Sequence, residues 1–268
     1  MAKDRIKFCV AGKHPLLYLS RDALIFSGYE LIQADGSEDF ILLGAEIHSS
    51  ADWLSLQVEL AGLANSNKPI LLLSSSSVYS DRSHELALLS PSPMDEAQGH
   101  VVTSPLDPGA FRALAALSAE HQITQRTQGR TVILRTFNVY GPNITQGVIP
   151  SFIKSIQNNL PLFVHIPGIQ TRTFLHEEDF LICFKVMVSK LLSGARGIFN
   201  LGSDEQVEVL SLAKSVGHAF ELDPIIELVD STERHVKWKL PALQRIQACA
   251  RWKARVSLRS GLFRLAGR

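Results

Sequence analysis

Short, almost continuous apolar runs alternate along this chain with longer amphipathic stretches, and that alternation limits the fold more than any other feature. Ile6 to Gly12 (IKFCVAG), Tyr29 to Ala34 (YELIQA), Phe40 to Gly44 (FILLG), Pro69 to Ser75 and Thr131 to Phe137 (TVILRTF) read as strands. Leu16 to Ser27, closed by Gly28, Trp53 to Ala64 and Phe111 to Gln125 read as the helices between them. Apolar strands joined through helices predict an α/β protein with a parallel sheet covered on both faces. Residues 81 to 110 are rich in Ser, Pro and Gly and predict a loop over the sheet. After Gly141-Pro142 the character changes. Ile149 to Asn158 reads as a helix, Leu162 to Ile166 as a short strand, Asp179 to Leu192 as a helix and Gly197 to Leu201 (GIFNL) as a last sheet strand. Residues 205 to 268 are expected to form a small helical lobe.

At 268 residues the chain is long enough to bury a full core, and 46% hydrophobic with 20% charged residues fits a soluble globular protein. The net charge of +1 gives no overall bias toward nucleic acid or membrane. The charge is uneven, however. No acidic residue follows Glu233, while Arg234, Lys237, Lys239, Arg245, Arg251, Lys253, Arg255, Arg259, Arg264 and Arg268 do. This is either a solvated basic face or a surface for a phosphate-bearing ligand, an acidic partner or an anionic membrane. Cys9, Cys183 and Cys249 lack metal-ligand spacing and read as reduced thiols. Met1 leads directly into a strand, and no apolar run reaches the ~18 residues of a membrane span, so a cytoplasmic location is expected.

Six blocks then carry a more specific signal: Asp39 to Ala45 (DFILLGA), Ser74 to Tyr79 (SSSSVY), Arg135 to Pro142 (RTFNVYGP), Gly168 to Asp179 (GIQTRTFLHEED), Phe199 to Ser203 (FNLGS) and Arg251 to Leu262 (RWKARVSLRSGL). In this order they resemble the extended short-chain dehydrogenases, the NAD-dependent epimerase/dehydratase family that remodels nucleotide sugars. The resemblance implies a Rossmann-like, doubly wound parallel sheet with a small C-terminal lobe. The dinucleotide-binding-type domain would be residues 1–145, with 172–202 adding a helix and the last strand. The substrate-binding-type lobe would be 146–171 and 203–268. It also implies roles: Ser75 polarises the substrate, Asn138 contacts the nucleotide sugar and Arg172 holds its diphosphate. NAD or NADP is the implied cofactor. A homodimer is implied through the Trp53 to Ala64 and Phe111 to Gln125 helices, the second offering Leu114, Ala115, Leu117 and Ala119 for close packing.

The departures from the family pattern are equally specific. Its Gly-x-x-Gly-x-x-Gly turn would fall on Ala11, His14 and Leu17, with only the neighbouring Gly12 left. Those glycines permit a tight turn, close approach of backbone to pyrophosphate and helix-strand packing. Lys13 and His14 either offer a phosphate positive charge or mark a loop that has lost the site. Asp35 stands near the spacing of the acidic ribose contact, and equally reads as a turn residue before Gly36. Only Gly36 to Glu38 separate Asp35 from the next buried strand, where the family has a further strand and helix, so a shortened sheet is expected. Finally, no tyrosine lies between Tyr79 and Tyr140 and no lysine between Lys68 and Lys154, the stretch that carries the family's Tyr-x-x-x-Lys pair. Anchoring on Ala119-Glu120-His121 puts Arg112 and Ala116 at those two places; a one-residue shift gives Phe111 and Ala115. A general acid/base needs a proton it can give up near neutral pH, and none of these supplies one.

Other candidates are weaker. Ser74 to Ser77 lack the Gly-x-Ser-x-Gly elbow of a hydrolase. His165, His176 and His218 show no zinc-binding spacing, and no metal site is expected. The run His176 to Asp179 either organises the loop around a sugar or caps a helix. Trp252, Leu258 and Leu262 read as lobe core rather than a binding stripe. Three functions stay open: a degenerate family member of nucleotide-sugar or surface-polysaccharide metabolism that binds a nucleotide sugar or a partner enzyme; an active NAD(P)-dependent epimerase, dehydratase or reductase using Ser75 and Tyr79 with a water; or a structural subunit of a heteromeric complex.

Overall fold

The computed structural model describes residues 5–62, 67–79, 93–97, 108–230 and 238–268. The first half runs β1 (Lys7–Lys13), α1 (Leu17–Phe26), β2 (Glu30–Leu31), β3 (Phe40–Ala45), α2 (Ser50–Gly62), β4 (Ile70–Ser75), α3 (Pro108–Arg126) and β5 (Thr131–Thr136). The second runs β6 (Val139–Tyr140), α4 (Val148–Gln157), β7 (Leu162–His165), β8 (Thr171–Thr173), β9 (Leu175–His176), α5 (Glu177–Leu192), β10 (Gly197–Leu201), β11 (Gln206–Glu208), α6 (Val209–Ala219), β12 (Ile226–Val229), β13 (Trp238–Lys239), α7 (Gln244–Ala250) and α8 (Leu258–Leu265).

Six strands form one sheet in the order β10-β5-β4-β3-β1-β2, and every neighbouring pair is parallel. Alternate side chains enter opposite layers, as strand geometry requires. Phe8, Leu42, Leu71 and Leu134 pack with Leu24 of α1, Phe184 of α5 and Ile246 of α7. Ile41, Leu72 and Ile133 pack on the other face with Leu56 and Leu60 of α2 and Ala119 and Ile123 of α3. Burial on both faces explains why β3 is apolar throughout and why β5 carries the run Val132 to Leu134.

β2 is much shorter than its sequence pattern predicts. It is an exposed edge strand of two residues. Ile32 still donates to the Phe8 carbonyl (2.9 Å), but the chain then turns back at Asp35, whose carboxylate accepts the Ser37 N–H (2.8 Å). No further strand intervenes before β3, so the sheet ends at β2. α3 starts at Pro108, three residues earlier than expected, with a proline suited to the first helical position. Most of the loop expected at 81 to 110 lies outside the described residues. Within it, Met94 forms a bridge with Pro241 and exchanges backbone bonds with Leu240 (2.7 Å) and Ala242 (2.9 Å).

The C-terminal segment is not purely helical. β11 and β13 flank β8 in a three-stranded sheet, and β12 pairs with β7. A second core joins Tyr140, Ile149, Phe152 and Phe174 to Leu212, Val216, Leu258 and Leu262. Trp252 is buried too, but in the main core beside α7. His176 caps α5 by accepting the Glu178 N–H on Nδ1 (3.3 Å). Asp179 instead accepts the N–H groups of Arg255 (2.8 Å) and Val256 (2.7 Å), fastening the tail to the start of α5.

Candidate functional site

The C-terminal ends of β1, β3, β4 and β5 open onto a cavity of about 240 Å3 lined by His14, Glu46, Ser75, Thr136, Asn138 and Lys239, among others. The chain moves to β2 on one side of β1 and then to β3 on the other, so the cavity sits where the strand order reverses. Open α/β sheets bind ligands at that place because the diverging connections leave a crevice there.

Ser75 closes β4. Its Oγ accepts the Ser77 N–H (3.2 Å) at the start of a short 3-10 turn, and the residue faces the cavity. Asn138 follows β5 and donates from Nδ2 to the Thr173 carbonyl (2.9 Å), which fixes the amide against β8. Arg172 lies on β8 and donates to the Thr171 carbonyl (2.9 Å). It is the in-register partner of Lys239 on β13.

The turn after β1 is closed on itself. The His14 ring is buried; Nδ1 accepts the Leu16 N–H (3.2 Å), and the ring also bonds the Ser74 backbone. The Leu17 N–H goes to the His14 carbonyl (2.9 Å), and Pro15 has no N–H to offer. Burial lowers the His14 pKa to about 4, outweighing the opposing bond to the Ser74 backbone, so the ring is neutral at physiological pH. Gly12 pairs with Gly44, and a Cβ placed on it would fall 2.0 Å from the Gly44 carbonyl oxygen. With φ at +79°, this glycine serves the contact between β1 and β3. Asp35 is exposed in its own turn, away from the cavity lining.

Behind the cavity lies a buried polar network. Arg135 donates to Glu120 at 2.7 and 3.0 Å and to the Tyr79 hydroxyl at 3.0 Å. Ser74 Oγ donates to Glu120 (2.7 Å), and the Tyr79 hydroxyl donates to Asn200 Oδ1 (2.6 Å). Burial raises the Tyr79 pKa above that of an ordinary phenol, although Arg135 opposes the shift. The bond from Glu120 to Arg135 fixes how α3 faces the sheet, and so where its other residues fall. Ala116 is buried among Val78, Tyr79, Met94 and Phe137. Arg112 is half-buried and close enough to act electrostatically on Lys239.

Lys239 and Glu46 were not singled out from sequence. No local pattern marks Lys239, because it reaches the cavity only through the pairing of β13 with β8. Burial first, then Arg172 and Arg112, lower its pKa to about 8. Glu46 stands 3.2 Å from His48, and burial raises its pKa. Among the described residues no cluster of metal-ligating side chains occurs, and no helix is long and apolar enough to cross a membrane.

Comparison with known proteins gives a consistent result. The model of the NAD dependent epimerase/dehydratase family matches residues 51–202, more than half of the chain. A dTDP-D-glucose 4,6-dehydratase of Bos taurus is 33% identical over 135 residues, 50% of this chain and 36% of the relative. UDP-glucuronic acid decarboxylase 3 of Arabidopsis thaliana is 29% identical over 201 residues, 72% of this chain and 55% of the relative. The matched stretches thus span roughly a third to a half of those relatives' lengths. An epimerase from Methanothermobacter thermautotrophicus superposes with a TM-score of 0.78 at 17% identity, covering 99% of this chain and 92% of its own. The UDP-glucuronic acid 4-epimerase of Bacillus cereus, in complex with UDP-glucuronic acid and NAD, gives 0.73 at 18% identity and 96% of both chains.

Proposed function

The chain belongs to the NAD dependent epimerase/dehydratase family, and from that premise we propose that it binds a nucleotide sugar at the C-terminal edge of its sheet without carrying out hydride transfer. The observation that carries this reading is the His14 turn. A dinucleotide pyrophosphate is held by free amides at a helix N-terminus and by glycines that let it approach. Here Pro15 lacks an amide, the Leu16 and Leu17 amides are used within the turn, and a buried neutral imidazole occupies the approach. These residues do not fit a dinucleotide, so no step is assigned to NAD or NADP.

Two further observations support the same conclusion. Glu120, four residues after Ala116, holds α3 in register through Arg135, which supports reading Arg112 and Ala116 as the occupants of the family's acid/base positions. Tyr79, the phenol of the buried network behind the cavity, has its hydroxyl engaged by Arg135 and Asn200, which weighs against its use as a catalytic acid. The substrate side reads differently. Ser75 and Asn138 line the cavity, and Arg172 supplies the guanidinium for a diphosphate.

Calorimetric titration of NAD, NADP and a panel of nucleotide sugars tests this reading. At least one nucleotide sugar should bind, weakened ~10-fold or more in Arg172→Ala, as loss of a charge-assisted contact implies. NAD and NADP should bind more weakly than ~10 μM, about −7 kcal/mol. Tight dinucleotide binding would favour an active enzyme with unusual residues. Failure of every nucleotide sugar to bind would favour a structural subunit.

A further inference from the structure

Arg251, Lys253 and Arg255 follow α7 in a segment that is neither helix nor strand, and burial alternates along it. Trp252 is buried and Ala254 half-buried against the main core, while the three cations stay exposed. Asp179, at the start of α5, pins the backbone by accepting the Arg255 and Val256 N–H groups. With Ile182 and Val186 of α5, and with Asp204, the three cations line a groove of about 670 Å3.

Most other positive charge of the C-terminal run is spent within the protein. Arg264 pairs with Glu178 at 2.7 Å, Arg268 with Glu221 at 2.8 Å, and the Arg245 guanidinium lies over the Phe199 ring at 5.8 Å. In the groove, both carboxylates are engaged as well. Asp179 holds the two backbone N–H groups, and Asp204 stands 3.1 Å from Lys253. That leaves Arg251 and Arg255, with which no carboxylate pairs among the described residues. Beside them Ile182 is 49% exposed in the middle of α5. An apolar centre flanked by guanidinium groups is the usual make-up of a protein interface.

We infer that this groove docks an acidic segment of a partner protein, one that also carries apolar side chains. Carboxylates match the planar, multidentate guanidinium donors of Arg251 and Arg255, and an apolar side chain covers Ile182. A polyphosphate or nucleic acid fits less well, because it would meet Asp179 and Asp204 in the same groove and make no use of Ile182. The surface is also free for a partner. α5 and α7 cover the face of the sheet opposite α2 and α3, so pairing of two copies through α2 and α3 leaves the groove open. The inference does not depend on whether the cavity at the strand ends binds a nucleotide sugar.

The test is fluorescence anisotropy with a short labelled peptide of glutamate and leucine. Two matched peptides replace its glutamates by glutamine or its leucines by serine, and tripolyphosphate serves as competitor. The glutamate-leucine peptide should bind ~10-fold or more tightly than either matched peptide, and more weakly as salt is raised. Arg251→Ala with Arg255→Ala should lower its affinity ~10-fold or more, whereas Lys154→Ala with Arg196→Ala, which removes two exposed cations outside the groove, should not. Ile182→Ser should weaken the leucine peptide and leave the serine peptide unchanged. The thermal midpoint of each variant checks that the fold is intact. If no peptide binds, if the glutamine peptide binds equally well, or if the double arginine variant binds unchanged, the docking site is overturned. Binding that ignores leucine and yields to tripolyphosphate would overturn it in favour of a polyphosphate site.

Discussion

Glu120 on α3 and Arg135 on β5 form a buried ion pair, with Nη2 of the guanidinium 2.7 Å from the carboxylate and both side chains at most 5% exposed. Removing one partner of such a pair leaves an uncompensated buried charge, at a cost of about 3–5 kcal/mol. Glu120→Leu and Arg135→Met are each expected to lose stability on that scale in denaturant titrations. Glu120→Leu combined with Arg135→Met should cost clearly less than the two single changes added together. An additive double variant would mean that the pair does not act as a unit.

The buried neutral His14 makes stability depend on pH. Its folded-state pKa, about 4, lies below the ordinary value of 6.5, so the unfolded chain binds the extra proton first. The contribution is fully present above pH 6.5 and is lost as the pH falls toward 4. Over that interval the loss approaches about 3 kcal/mol, an order-of-magnitude figure. His14→Gln should flatten the stability curve between pH 6.5 and 4 relative to the wild type. Parallel curves for the two proteins would count against a buried neutral imidazole.

Restoring the family's two catalytic side chains should not restore turnover. Arg112→Tyr with Ala116→Lys would supply a phenol and an amine, but would leave the His14 turn closed. Ala116 is also buried, so a lysine there must displace its neighbours in the small core around Phe137. Assays of epimerisation and dehydration with added NAD or NADP should show no activity above the wild type. Measurable turnover by this double variant would show that the turn accepts the cofactor.

The outer faces of α2 and α3 are proposed to pair two copies of the chain. Leu54 and Val58 on α2 are 64% and 74% exposed, and Leu114 on α3 is 51% exposed. The contact surface differs from the sequence-based expectation, because Ala115 and Ala119 point into the protein's own core. Sedimentation at micromolar concentration should give a dimer, and Val58→Glu should shift it toward monomer by placing a charge in an apolar contact. A monomeric wild type would remove the proposal.

The sheet strands Phe40–Ala45, Ile70–Ser75 and Thr131–Thr136 were legible from sequence because burial on both faces leaves an unbroken apolar run. The helices between them were legible from their period; the motifs offered Ser75, Asn138 and Arg172 as candidates, of which Ser75 and Asn138 line the cavity. Gly12, Asp35 and His14 could be named from sequence, but not what they do. Only tertiary structure showed Gly12 against the Gly44 carbonyl, Asp35 in its own turn and the His14 ring buried and hydrogen-bonded to backbone. β2 and the strands β11 and β13 were misread or missed because two- and three-residue strands carry no period. They exist through backbone bonds to partners distant in the chain, β1 for the first and β8 for the other two. Lys239 is the clearest case. Its sequence neighbourhood marks only a basic tail, whereas its place beside Arg172 and in the cavity follows from one strand pairing. Local sequence fixes properties that repeat along the chain; a cavity lined from six separate segments depends on contacts that no local window contains.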